Sequence, residues 1–118
     1  MTFEDILARL VAAVPEARGA VVCDYEGEYV HLHLRGEATP FDVQLAGAQF
    51  SAVFAELLGL KNFGRATALD IRCDGATYLI RHVAEGYYAL LWLGTPARAA
   101  AASRRLAATV DELVPLIA

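Results

Sequence analysis

The sequence contains one lysine, Lys61, and no run of charges of like sign. The formal net charge is −4 and the isoelectric point is about 5.2. A nucleic-acid surface needs clustered Lys and Arg side chains to neutralise phosphates. The small number and the scatter of basic residues therefore exclude nucleic acid as an expected partner.

Long apolar runs are also missing, since no stretch approaches the roughly 18 residues that a membrane span requires. Glu4 and Asp5 precede Ile6, so the N-terminus lacks the basic start and the apolar core of a signal peptide. We expect no membrane insertion and a cytoplasmic location.

Cysteine is scarce, because Cys23 and Cys73 are the two in the chain and they have no CxxC spacing. Both lie in apolar, strand-like stretches, which predicts small buried side chains in a reducing compartment. A disulfide between them is the alternative, and it requires that their two strands pair.

Patterns typical of catalysis or of cofactor binding are missing too. The glycines form neither GxxxxGK[ST] nor GxGxxG after a strand. His31 and His33 have a spacing that can hold a metal, but a third ligand is needed and His82 is far along the chain. We therefore interpret the pair as two solvated histidines on an edge strand. We expect no enzyme activity, no metal and no cofactor.

The sequence is rich in apolar residues, which make up 57% of its 118 positions, whereas charged residues make up 20%. This composition excludes disorder, and the length predicts a single domain over residues 1–118. The mean hydropathy of +0.39 is high for a small monomer. It indicates that some apolar surface is covered by oligomerisation.

Residues 39–60 are largely apolar and predict a helix of about five turns. Thr39 is an N-cap, Pro40 suits the first helical position, and Gly59 ends the helix. Apolar residues cover more of its circumference than one sheet can bury. We infer that part of this helix contacts a second molecule, and the alternative is a helix buried within one domain.

The other elements follow from periodicity and turn signals. Thr2 and Asp5 have capping-box spacing at the start of a first helix over residues 2–14. Asp74-Gly75 is the strongest hairpin signal in the chain. The remaining predicted elements are strands 19–26, 29–35, 66–73, 76–83 and 87–93 and a last helix, 97–113.

Strands 19–26 and 87–93 are apolar on both faces and should lie inside the sheet. Strands 29–35 and 66–73 alternate and should lie at its edges. The predicted fold class is α/β, an α+β three-layer sandwich of profilin-like or longin-like architecture. Its five-stranded, mostly antiparallel sheet has the order 2-1-5-4-3. The long helix covers one face and the N- and C-terminal helices cover the other.

The chain resembles the Roadblock (dynein light-chain) family over essentially its whole length. The resemblance rests on GAVVCDYEGEYV after the first helix, LLGL at the end of the long helix, and LDIRCDGATYLIRHV and EGYYALLWL in the last three strands. Profilin-like and longin domains are the nearest alternatives.

The resemblance implies a homodimer, in which the long helix packs antiparallel against its copy and the third strand pairs with its copy. Bacterial and archaeal members, of the mutual-gliding protein B type, typically bind small Ras-like GTPases. Carried onto this sequence, the dimer interface consists of Phe50, Val53, Phe54, Leu57, Leu69 and Ile71. The residues expected to flank the contact with the GTPase are Gln44, Gln49, Ser51 and Glu56.

The expected function is therefore a non-enzymatic homodimeric regulator or scaffold for a small GTPase, with an effect on its nucleotide state. One alternative is a small-molecule sensor that holds a ligand between sheet and helix near Tyr78, Tyr87 and Trp92. Another is a purely structural adaptor subunit.

Overall fold

A computed structural model describes residues 1–24, 26, 28–42, 46, 49, 50, 53, 56, 57, 66–84, 86–94 and 99–117. The elements are an N-terminal helix (Phe3–Ala13), β1 (Ala17–Asp24), β2 (Tyr29–Leu34), β3 (Ala68–Arg72), β4 (Thr77–Ala84), β5 (Tyr87–Leu93) and a C-terminal helix (Ala99–Ile117). Between β2 and β3, the backbone is helical at residues 40–42, 46, 49, 50, 53, 56 and 57, which we call the middle helix.

The N-terminal helix begins with the predicted capping box. The side-chain oxygen of Thr2 accepts a hydrogen bond from the Asp5 amide, and the Asp5 carboxylate accepts one from the Thr2 amide, both at 3.1 Å. The hydrogen bond from the Thr2 backbone amide lowers the pKa of Asp5, and the Thr2 side chain lowers it further. The helix ends at Ala13, just before Pro15.

The described strands form one sheet in the order β2-β1-β5-β4-β3, and every neighbouring pair is antiparallel. The order predicted from the sequence is therefore confirmed. β1 and β5 lie inside the sheet because both of their faces are apolar, and most of their residues are buried. Between β3 and β4, the Cys73 amide donates to the Ala76 carbonyl at 2.7 Å, which closes the predicted Asp74-Gly75 turn.

The sheet separates two apolar cores, as the three-layer prediction required. The larger core joins the sheet to the N- and C-terminal helices, through residues such as Leu7, Leu91 and Leu106. The smaller core lies on the middle-helix face, around Tyr88 and Leu90. The other buried members of the smaller core are Val21, Cys23 and Ile80.

Several element ends differ from the prediction. β1 stops at Asp24 because its carboxylate accepts hydrogen bonds from the amides of Glu26 and Glu28, which start the turn into β2. The C-terminal helix continues past the predicted end at Leu113 to Ile117 and contains Pro115. Leu113 is buried and Ile117 packs against the larger core one turn later, so packing continues beyond the proline.

Two sequence interpretations of polar residues need correction. Cys73 is exposed beside the β3–β4 turn, whereas Cys23 is buried on β1, and both thiols are free. Their strands are not neighbours, so the condition for a disulfide is not met. His31 and His33 are half-buried rather than solvated, because they lie on the face that the N-terminal helix covers, where His31 stacks on Phe3 at 4.2 Å between ring centroids.

The two thiols should therefore differ in reactivity. Burial raises the pKa of the Cys23 thiol to about 12, and the thiolate is the reactive form. We expect a thiol-specific reagent near neutral pH to label one cysteine, Cys73, in the native protein and both after denaturation. Mass spectrometry of the labelled peptides measures this, and fast labelling of Cys23 in the native protein would contradict the placement of β1.

Arg35, just after β2, connects the sheet to the end of the N-terminal helix. Its guanidinium donates hydrogen bonds to four backbone carbonyls, which belong to Val11, Val14, Pro15 and Ala17. Val11, Val14 and Pro15 lie at the C-terminal end of the helix, where carbonyls have few partners within the helix. Ala17 begins β1, so this one cation joins the helix end to the sheet.

Replacing Arg35 should destabilise the fold, because its hydrogen bonds to these backbone carbonyls are lost. We expect Arg35→Ala to lower the free energy of unfolding by about 2 kcal/mol, since hydrogen bonds from a charged donor are among the stronger ones. Arg9→Ala is the matched control, because the Arg9–Glu112 pair is half-exposed at both ends and should contribute less than about 1 kcal/mol. Urea denaturation measures both, and equal losses would contradict the role of Arg35.

Candidate interaction surface

β3 is an edge strand whose backbone is paired on one side, with β4. The His82 amide donates to the Thr67 carbonyl at 2.9 Å and the Cys73 amide donates to Ala76 at 2.7 Å. Hydrogen-bonded and non-bonded positions alternate along an antiparallel pair. The amides and carbonyls of residues 68, 70 and 72 therefore point away from β4, toward the open edge.

The side chains of β3 divide between the two faces of the sheet. Leu69 and Ile71 are half-buried and pack against the smaller core. Asp70 lies on the opposite face, where its carboxylate accepts a hydrogen bond from the Arg81 guanidinium at 2.6 Å. Arg81 also donates to the Ser103 hydroxyl of the C-terminal helix at 2.8 Å. The edge is thus anchored from the helix-covered face, and within the described part of the chain no other strand pairs with its outer side.

The middle helix has apolar residues both against the sheet and toward solvent. Ala46 is buried, and the Phe50 ring lies 4.8 Å from the Tyr78 ring of β4. Val53 is 45% exposed and Phe41 is 69% exposed, which is unusual for large apolar side chains. The sheet of one chain therefore leaves part of this helix uncovered.

The residues expected at the dimer interface have mixed positions. Val53 is exposed, Leu57 is half-buried on the middle helix, and Phe50 is half-buried against its own Tyr78. Phe54 lies outside the described residues. Leu69 and Ile71 lie on the same face of the sheet as Phe50.

Of the residues expected to flank a GTPase, Gln49 and Glu56 are exposed on the middle helix. Gln44 and Ser51 lie outside the described residues. The interface and the flanking contact stay predictions.

A second feature of the middle-helix face is a cleft that the sequence predicted in part. Tyr78 and Trp92 come together there, with 6.3 Å between their ring centroids. Tyr87 was expected with them but lies on the other face of the sheet, where it packs against the larger core. Arg18 was not expected at this site, since it stands on β1 just before a run of buried residues and nothing in the strand pattern shows that it reaches Trp92.

The chemistry available elsewhere is limited. Within the described part of the chain, no three or more His, Cys, Asp or Glu side chains are grouped closely enough to hold a metal ion. Cys23, with its raised pKa, is a poor nucleophile. Among the helices whose residues are described, none is long and apolar enough to cross a membrane.

No protein-family model and no curated protein matches the sequence. Solved structures do match the fold. The Roadblock/LC7 domain from Streptomyces avermitilis has a TM-score of 0.85 and 17% sequence identity, over 99% of this chain and 98% of that chain. The gliding protein MglB from Thermus thermophilus has a TM-score of 0.82 and 13% identity, over 94% of this chain and 84% of that chain.

Profilin IA from Acanthamoeba castellanii is also similar, with a TM-score of 0.60 and 9% identity over 98% of both chains. Its score is lower than the scores of the Roadblock/LC7 domain and MglB, which agrees with the resemblance seen in the sequence. The chain has the fold of the Roadblock/LC7 domain.

Proposed function

We propose that this protein is a homodimeric, non-enzymatic regulator or scaffold that binds a small Ras-like GTPase. The observation that carries the proposal is the exposed apolar surface of the middle helix, next to a sheet edge that pairs with no other strand among the described residues. Its fold is also similar to that of the gliding protein MglB. The GTPase itself comes from the sequence resemblance to Roadblock proteins of bacteria.

The edge and the helix fit one mode of self-association. An edge strand readily pairs with another strand, and a twofold axis beside β3 would pair it antiparallel with its copy. Val53 and Leu57 would then contact the second protomer, and Leu69 and Ile71 would continue the apolar face across the junction. Phe50 already contacts Tyr78 in its own chain, so we expect it to contribute less than Val53.

The two described polar residues, Gln49 and Glu56, are exposed and are seven residues apart, close to two helical turns. They therefore lie near one line on the helix surface and border its apolar residues. In a dimer, two such lines would flank the paired helices, which gives a GTPase a polar rim around an apolar centre, as protein interfaces commonly have.

Val53→Asp tests the dimer without threatening the fold, because Val53 is exposed in the single chain. A charge that becomes buried without a partner costs several kcal/mol. We expect the dimer dissociation constant to rise by roughly a hundredfold or more. Sedimentation equilibrium measures the change.

Val30→Asp is the matched control, since Val30 is 47% exposed on β2 at the opposite edge of the sheet. It should leave the dimer intact. A wild-type protein that stays a single protomer at high concentration would refute the homodimer. Equal effects of the two substitutions would refute the location of the interface.

Glu56→Arg tests the partner surface. We expect it to weaken binding of a small Ras-like GTPase from the same organism by about tenfold, because a rim charge of the wrong sign opposes a complementary surface. Glu28→Arg, an exposed residue near the β1–β2 turn, is the control and should have no effect. Calorimetry with the GDP-bound and GTP-analogue-bound GTPase measures both.

The nucleotide states distinguish a regulator from a scaffold. Different affinities for the two states would mean that this protein shifts the nucleotide preference of its partner, because linkage is reciprocal. Equal affinities would indicate a scaffold. No binding in either state would contradict the proposed partner.

A further inference from the structure

A cleft of about 420 Å³ lies on the middle-helix face, between the sheet and the first turns of the middle helix. It is within the size range of small-molecule sites. Its lining combines aromatic rings with side chains of opposite charge. The residues that matter for recognition are Arg18, Asp42, Gln49, Phe50, Tyr78 and Trp92.

Arg18 reaches the cleft through an irregularity in β1. In the pairing of β1 with β5, Ala17 lies opposite Leu93 and Gly19 lies opposite Trp92, so Arg18 is the extra residue of a bulge. A bulge redirects the side chain that it contains. The Arg18 guanidinium carbon lies 5.5 Å from the centre of the Trp92 ring, in the geometry of a cation–π contact.

Three aromatic rings form the wall of the cleft. Tyr78 and Trp92 face each other across β4 and β5, with ring planes 15° apart and centroids 6.3 Å apart. Phe50 meets Tyr78 at 4.8 Å with a tilt of 57°. Desolvation, with smaller effects of Cys73 and Asp42, raises the pKa of Tyr78, so its hydroxyl stays a neutral donor. The wall suits a planar ring of a ligand.

The charged groups at the cleft have opposite signs and are not paired with each other. Asp42 accepts hydrogen bonds from the Thr39 amide at 3.1 Å and the Thr39 hydroxyl at 3.0 Å, both through Oδ2. Its other oxygen, Oδ1, takes no part in these two bonds. Over the described residues, the ion pairs join Arg9 with Glu112 and Arg81 with Asp70, and neither involves Arg18 or Asp42.

We propose that this cleft binds a small aromatic amino acid, as the free zwitterion. A ligand with only a negative charge would be repelled by Asp42. A ligand with only a positive charge would be repelled by Arg18. A zwitterion places its carboxylate at Arg18 and its ammonium at Asp42, while its ring packs against Trp92 and Tyr78. The Gln49 amide, exposed at the same opening, can bond to either ionic group. This proposal does not depend on the GTPase or on the dimer.

Trp92 is the one tryptophan in the chain, so it reports on the cleft directly. L-Phenylalanine does not absorb at the red edge of tryptophan absorption, and we expect it to change the fluorescence of the wild-type protein in a saturable way. 3-Phenylpropionate and phenethylamine, which lack one charge each, should bind about tenfold more weakly, and L-leucine should not bind. Calorimetry with L-phenylalanine, L-tyrosine and L-tryptophan provides an independent measurement.

Substitutions of Arg18 and Asp42 should change the affinity of different ligands, according to the charge that each ligand carries. Arg18→Gln should weaken binding of L-phenylalanine by about tenfold, because the carboxylate loses its partner, and should leave phenethylamine bound equally well or more tightly, because its repulsion from Arg18 is removed. Asp42→Asn, which can still accept from Thr39, should weaken L-phenylalanine by a similar factor and should leave 3-phenylpropionate bound equally well or more tightly. Arg104→Gln, at an exposed position of the C-terminal helix, is the matched control and should bind like the wild type.

Two results would overturn the proposal. The first is that none of the three aromatic amino acids gives a saturable signal by fluorescence or calorimetry at millimolar concentration. The second is that Arg18→Gln and Arg104→Gln bind L-phenylalanine equally well. Circular dichroism of each variant shows that a lost signal does not come from lost folding.

Discussion

The structure depends on two adjacent strands, β1 and β5, that are apolar on both faces. Such strands must be covered above and below, and this places a helical layer on each side of the sheet. One layer consists of the N- and C-terminal helices, and the other is the middle helix. Because β1 and β5 pair with each other, the remaining strands can add only outside them, which makes β2 and β3 the edges.

The two helical layers cover the sheet to different extents, and this difference determines which apolar side chains remain exposed. Two helices cover one face and share a continuous core with the sheet, whereas the smaller core faces a single helix. A single helix covers only a strip of a five-stranded face. Aromatic side chains at one end of that face therefore remain accessible beside the helix, at Trp92 and Tyr78, and Val53 stays exposed on the helix itself.

The sequence predicted the elements whose signals are local or periodic. The capping box at Thr2 and Asp5 and the Asp74-Gly75 turn depend on neighbours in the chain, and the doubly apolar run 87–93 matches β5 to the residue. The features that it missed depend on contacts between distant segments. The role of Arg35 was not predicted, because its backbone carbonyl partners lie about twenty residues earlier in the chain. The position of Arg18 was not predicted, because a bulge in β1 sets the direction of its side chain, and the regular alternation of side chains along a strand does not.

The open edge of β3 and the cleft at Trp92 differ in how far the sequence can predict them. The open edge of β3 is a property of the backbone, so almost any sequence in that position would offer unpaired amides and carbonyls. The cleft is a property of particular side chains. A residue without charge at position 18 would remove its cationic group, and a small residue at position 92 would remove part of its aromatic wall. Ile71 of the edge strand pairs in register with Tyr78 of the cleft wall, so the two surfaces are one strand apart. Trp92 lies on the far side of Tyr78 from the β3 edge, so strand pairing at that edge does not by itself cover the cleft.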